Sequence, residues 1–118
     1  MNRDYKFNFV VVRYVPDPLR EEFVNIAVAL VASPPEKFGG LRRTASWDTL
    51  LKLDRKADLN VLSSILDEMH RALRSRGYPA LHEYLSLDSS NVIQFSELRS
   101  TIASDGQAEL DRLAAQYL

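Results

Sequence analysis

The chain has no cysteine, two histidines and only four glycines in 118 residues. Without thiols it can have no disulfide framework, no thiolate nucleophile and no cysteine-ligated zinc. The scarcity of glycine and proline excludes collagen-like and low-complexity classes, and no Gly-rich phosphate loop, Ser-His-Asp order or metalloprotease helix can be found. Neither sign of charge prevails: fifteen basic residues face sixteen acidic ones, for a net charge of −1. There is thus no overall positive field, and nucleic acid is not an expected partner unless a local patch binds it. No apolar run approaches a membrane span, and the polar opening Met1 to Tyr5 lacks the pattern of a signal peptide, so the expected setting is a bacterial-type cytoplasm. What remains is ordinary globular composition, 46% apolar and 26% charged. A chain of this size fits one domain, residues 1–118, that buries about two-thirds of its unfolded surface.

In order along the chain, Tyr5, Phe7, Phe9 and Val11 alternate with Lys6, Asn8, Val10 and Val12, a period of two that predicts a strand over Tyr5 to Val15. Pro16 and Pro18 cannot donate ladder hydrogen bonds, so Pro16 to Arg20 is expected as a turn. Phe23 to Ala32 is apolar except for Asn25 and suits a central strand covered on both faces. Breakers mark Ser33 to Gly40 as a loop, Leu41 to Ser46 reads as an edge strand blunted by arginines, and Trp47 to Lys56 fits either a short helix or a loop over the core.

Leu62, Ile65, Leu66, Met69, Ala72 and Leu73 form one stripe of a helix over Leu59 to Ser75, with Asp58 as N-cap and Gly77 just past its cationic end. A helical turn is expected over Pro79 to Leu85, and a short strand over Asn91 to Phe95 with Val92 and Ile93 buried. A last helix, Gln107 to Leu118, would be capped by Ser104 or Asp105 and buried through Leu110, Leu113, Ala114 and Tyr117. The element order predicts an α+β fold: an antiparallel or mixed sheet of about four strands with the two main helices packed on one face.

Three pieces of sequence carry a resemblance. Arg13-Tyr-Val-Pro-Asp17, then Arg20-Glu-Glu22, then Val24-Asn-Ile-Ala-Val28 resemble the opening motif of the bacterial "domain of unknown function 3037" family, where an Arg-x-x-Pro-Asp turn precedes Arg-x-Glu and a Val-Asn-Val-Gly-Val strand. His82 to Phe95 is similar to that family's block ending in a Val-Ile-Gln strand, and Gln107 to Leu118 to its terminal helix. Ala27 stands where the family usually has glycine, and Ser96-Glu97-Leu98 lacks its usual proline. The family has no established activity. Its members are often encoded beside a HipA-like serine/threonine kinase, which implies a protein partner: a regulator, adaptor or antitoxin-like companion of such a kinase.

Arg13, Asp17, Arg20, Glu21, Glu22 and Asn25 place alternating charges around one turn. As a site, Arg13 and Arg20 would grip a carboxylate or phosphate, with Asp17 or Glu22 bracing them. As architecture, Asp17 closes an Asx-type turn, an arginine and a glutamate pair, and Asn25 satisfies backbone groups. Asn25 separates the two readings, because a lone amide in an apolar strand needs a partner. Asp67 and His70 stand one helical turn apart but lack a third ligand, so no metal is expected, and Asp67 with Arg71 reads as an i, i+4 ion pair. Arg42, Arg43, Thr44, Ser46 and Trp47 offer a weak phosphate-binding or phosphorylation motif. Ser86, Ser89, Ser90 and Ser96 read as loop residues. No catalytic residue, cofactor or metal site is assigned. The leading expectation is a non-enzymatic protein-interaction domain, and the alternative is a small ligand-binding or hydrolytic enzyme centred on Arg13, Asp17, Arg20, Glu22 and Asn25.

Overall fold

The two most apolar segments of the chain pair with each other at the centre of a five-stranded antiparallel sheet. The computed structural model describes residues 3–87 and 92–118. Strands β1 (Tyr5–Asp17) and β2 (Glu22–Ala32) form a long hairpin, and β3 (Gly39–Arg43) lies along the outer edge of β2. On the far side of β1, β4 (Ile93–Phe95) pairs with Val12 to Tyr14 and β5 (Arg99–Ala103) with Tyr5 to Phe9, end to end. Ser96 closes the gap between them: its hydroxyl accepts from the Val11 amide at 2.8 Å, and its own amide donates to the Val11 carbonyl at 2.9 Å. The described residues also form four helices, α1 (Asp48–Leu53), α2 (Leu59–Arg76), α3 (Tyr78–Ser86) and α4 (Gly106–Tyr117).

Side chains alternate across a strand, and here both faces are apolar. Val10, Val12, Ala27, Ala29, Val31 and Leu41 meet Leu62, Leu66, Met69 and Leu73 of α2, together with Leu50, Ala80 and Leu81. Phe7, Phe9, Val28, Leu30 and Ala32 meet Leu110 and Leu113 of α4 on the opposite face. The α+β class, the antiparallel sheet and the two main helices are as expected. Their placement on one face is corrected to one helix on each face, because two alternating sets of large apolar residues on β1 and β2 cannot both be covered from one side.

The helix ends follow their capping residues. Asp58 accepts from the Val61 amide, and the Gly77 amide donates to the Leu73 carbonyl, with Gly77 at φ 61. Asp105 accepts from the Gln107 and Ala108 amides and starts α4. Within α4, Glu109 is buried, accepting from Thr101 of β5 at 2.6 Å and from both the Nε and a terminal nitrogen of Arg112. The paired Arg112, with a lesser contribution from Thr101, holds the Glu109 carboxyl below its ordinary range against the opposing effect of burial.

Several strands differ from expectation, β3 among them, which begins at Gly39 inside the expected loop and ends at Arg43. Pro16 and Asp17 continue β1, and the turn shrinks to a single 3₁₀ turn, Pro18–Arg20, followed by Glu21 in the left-handed region at φ 55. A proline is tolerated there because the β1–β2 ribbon has outrun its neighbours, so no ladder needs its missing amide. Strand β5 went unpredicted because its pattern is inverted: its one large apolar residue, Ile102, is exposed, while Thr101 and Ala103 face α4. In β4, Ile93 is buried but Val92 is exposed. Asn91, expected to begin that strand, and the loop serines Ser89 and Ser90 lie outside the described residues.

Tyr14 links the sheet to the connection between α1 and α2, its hydroxyl donating to Asp54 at 2.6 Å. Burial, then the hydrogen bond and charge of Asp54, push its pKa from 10.0 to about 12. Tyr14→Phe is expected to destabilise the fold by about 1–2 kcal/mol near neutral pH, since it removes the donor to Asp54 Oδ2 and leaves only the Lys56 amide on Oδ1. The folded state holds this proton more tightly than the unfolded chain, so the contribution is complete below pH 10 and is lost as pH rises towards 12. Urea denaturation of both proteins across that window checks the sign: the gap between them should narrow as pH rises.

Candidate functional site

The candidate site lies at the far end of the hairpin, and the register explains why that end is open. Strand β3 stops at Arg43 opposite Ala27, and β4 reaches only to Tyr14 of β1, with one further bond from the Val15 amide to the Val92 carbonyl. From there the β1–β2 ribbon runs on alone to its turn. A ribbon that outruns its sheet has no helix to bury its side chains, so Leu19 at the turn is 94% exposed and Phe23 is 50% exposed.

The polar residues singled out from sequence occupy this end but do not converge. Asp17 accepts from the Leu19 amide at 3.0 Å, closing the Asx-type turn. Arg20 and Glu22 approach only to 4.0 Å with both side chains exposed, a pair that adds little to stability. Glu21 and Glu22 are exposed. Asn25 bonds neither the turn nor Arg13: its amide nitrogen donates across the fold to the Tyr117 carbonyl at 3.1 Å, tying β2 to the last turn of α4. Its amide oxygen is buried without a partner. Arg13 stands opposite Asn25 in register, with its guanidinium carbon 4.5 Å from the centre of the Phe23 ring and its Nε buried without an acceptor. A guanidinium over an aromatic face gains cation–π attraction and is held in place.

Asn25 also lines a surface cavity of about 250 Å³ beside Phe23, Thr44, Ser46, Thr49, Tyr117 and Leu118, beyond the end of β3. Two of its hydroxyls serve local structure, for Thr44 donates to the Ser46 carbonyl and Ser46 accepts from the Asp48 amide at the start of α1.

The other constellations are absorbed by the fold. Arg42 pairs with Asp111 of α4, and Arg43 with Asp67 of α2, so the two cations of the weak phosphate motif clamp one helix on each face of the sheet. Asp67 therefore partners Arg43 rather than the expected Arg71, a choice that tertiary proximity decides. His70 is held below its ordinary pKa, chiefly by burial and secondarily by Arg74 and Arg43. Among the described residues no group of three or more histidine, aspartate or glutamate side chains could hold a metal ion. No helix among them is long and apolar enough to cross a membrane.

Sequence reasoning missed Leu19, Phe23 and Gln94 as surface residues of this end. Alternation sets Phe23 and Asn25 on one side of their strand, and the register, shifted by a bulge between Val12 and Arg13, adds Arg13 to that side. A family model described as "Protein of unknown function (DUF3037)" matches residues 9–118. No curated protein and no solved structure matches the chain.

Proposed function

The chain belongs to the DUF3037 family, and from that premise we propose that it is a non-enzymatic protein-interaction domain that docks through the open end of its β1–β2 hairpin. Its partner on this reading is a HipA-like serine/threonine kinase, which it serves as regulator, adaptor or antitoxin-like companion in the cytoplasm. The observation that supports this reading is that Leu19, 94% exposed, and Phe23, 50% exposed, stand on a ribbon that runs beyond the described strands flanking it. Large apolar side chains rimmed by charge are what protein interfaces bury at their centres. The alternative, a ligand-binding or hydrolytic site, needs Arg13, Asp17, Arg20, Glu22 and Asn25 around one substrate. Asp17 is instead spent on the turn itself, and Arg20 and Glu22 stand exposed and only loosely paired.

Co-expression with a HipA-like kinase from the genomic neighbourhood, followed by affinity purification, tests the reading. The kinase should co-purify with the wild-type domain, and Leu19→Asp should abolish capture while leaving the fold intact. Capture that survives both Leu19→Asp and Phe23→Ala would move the interface elsewhere, and no capture of the kinase at all would remove it as the partner.

A further inference from the structure

Arg13 is a half-buried cation that has no ion-pair partner among the described residues. Arg42, Arg43, Arg76 and Arg112 meet Asp111, Asp67, Glu83 and Glu109 respectively, whereas no described carboxylate forms an ion pair with Arg13. It is nevertheless held in place, with Phe23 against the face of its guanidinium and its Nε enclosed by protein. The register sets an amide on either side: Asn25 is its partner on β2 and Gln94 its partner on β4. Directly paired residues of antiparallel strands share a face, so the three form one polar row across three strands. Within that row Asn25 is turned away, its amide nitrogen donating to the Tyr117 carbonyl and its oxygen able only to accept, whereas the Gln94 carboxamide has no hydrogen-bond partner among the described residues.

A guanidinium partly removed from water and lacking a counter-charge is poised for an anion, and its planar fork matches a carboxylate through two parallel hydrogen bonds. The amide group of Gln94 can supply a further donor at the side. Asp17, Glu21 and Glu22 on the adjoining turn oppose a dianion such as phosphate more strongly than a single carboxylate. Leu19 and Phe23 offer apolar contact to whatever carries the anion. We infer that Arg13, flanked by Gln94 and backed by Phe23, is a carboxylate-binding position that receives an aspartate or glutamate side chain of the protein partner, next to apolar residues that cover Phe23 and Leu19. This inference rests on the hairpin end being the docking surface.

The chemistry and its source are tested separately. With ¹⁵N-labelled protein, the Arg13 Nε–H signal is assigned by its disappearance in Arg13→Lys and followed during titration with sodium acetate, at an ionic strength held constant with sodium chloride. Sodium phosphate serves as a parallel titrant. The Arg13 signal and the Gln94 side-chain amide signals should shift saturably with acetate. A response to acetate no greater than to chloride, or saturation by phosphate alone, would overturn the carboxylate assignment. In the captured complex, Arg13→Lys keeps the charge but loses the fork and should weaken binding about tenfold, as the loss of one well-placed charged hydrogen-bonding group does. If Leu19→Asp abolishes capture while Arg13→Lys has no effect, the docking surface stands and the acidic side chain of the partner is wrong. If no complex forms with any variant, the docking surface itself fails, and the acetate titration still decides the chemistry of Arg13.

Discussion

Gly39→Ala is expected to destabilise the protein by about 3 kcal/mol, at the upper end of what overpacking produces. A Cβ at Gly39 would lie 2.0 Å from the Leu73 carbonyl oxygen and 2.8 Å from its carbon. These are backbone atoms and cannot swing aside as a side-chain tip can. The same carbonyl accepts from the Gly77 amide at 2.8 Å, so moving it disturbs the capped end of α2. Leu73 itself is fully buried and would be lifted from the sheet with it. Glycine is required here by the close approach of helix and strand, with no unusual backbone angle involved. Urea denaturation of Gly39→Ala beside Gly40→Ala provides the check. At Gly40 an added Cβ would meet the Leu110 side chain at 3.2 Å, which can yield, so that variant should be much the milder of the two. Equal effects would mean that α2 is not seated on β3 in this way.

Leu66→Ala and Leu113→Ala should each destabilise by about 3 kcal/mol, as expected for deleting a fully buried leucine, and their effects should add. Leu66 belongs to the cluster under α2 and Leu113 to the cluster under α4, with the sheet between them. Their sum, about 6 kcal/mol, is within the range of total stability of a domain this size, so the double variant should be largely unfolded at room temperature. A double-mutant cycle by chemical denaturation, run in a background stabilised enough to measure the pair, would read the coupling. Coupling well above about 0.5 kcal/mol would mean that the two leucines share one core, contrary to a helix on each face.

How much of this was legible in the sequence differs from element to element. Helix α2 was legible almost to the residue because its stripe, Asp58 cap and Gly77 terminator are all local signals that agree. The long hairpin was legible because β1 and β2 are built from alternating or continuous apolar residues. Strand β5 was not, because its inward positions are Thr101 and Ala103 and its large residue points to solvent. The Asx turn at Asp17 was legible as well, since that hydrogen bond spans two residues. The partner of Asn25 was not, because Tyr117 lies at the other end of the chain.

The sequence by itself determined the α+β class, the two main helices, the central hairpin and the membership of the family, since each rests on periodicity, caps or motif residues close together in the chain. Only the tertiary structure decided which face each helix covers, which acids neutralise Arg42 and Arg43, and that no described carboxylate pairs with Arg13. Those outcomes depend on pairs far apart in sequence, whose meeting is set by strand register and by the end at which the flanking strands stop. The charged turn that looked like one cluster is thereby divided, with Asp17 closing the loop and Arg20 and Glu22 exposed on it, while Arg13, Asn25 and Gln94 line up across the sheet below.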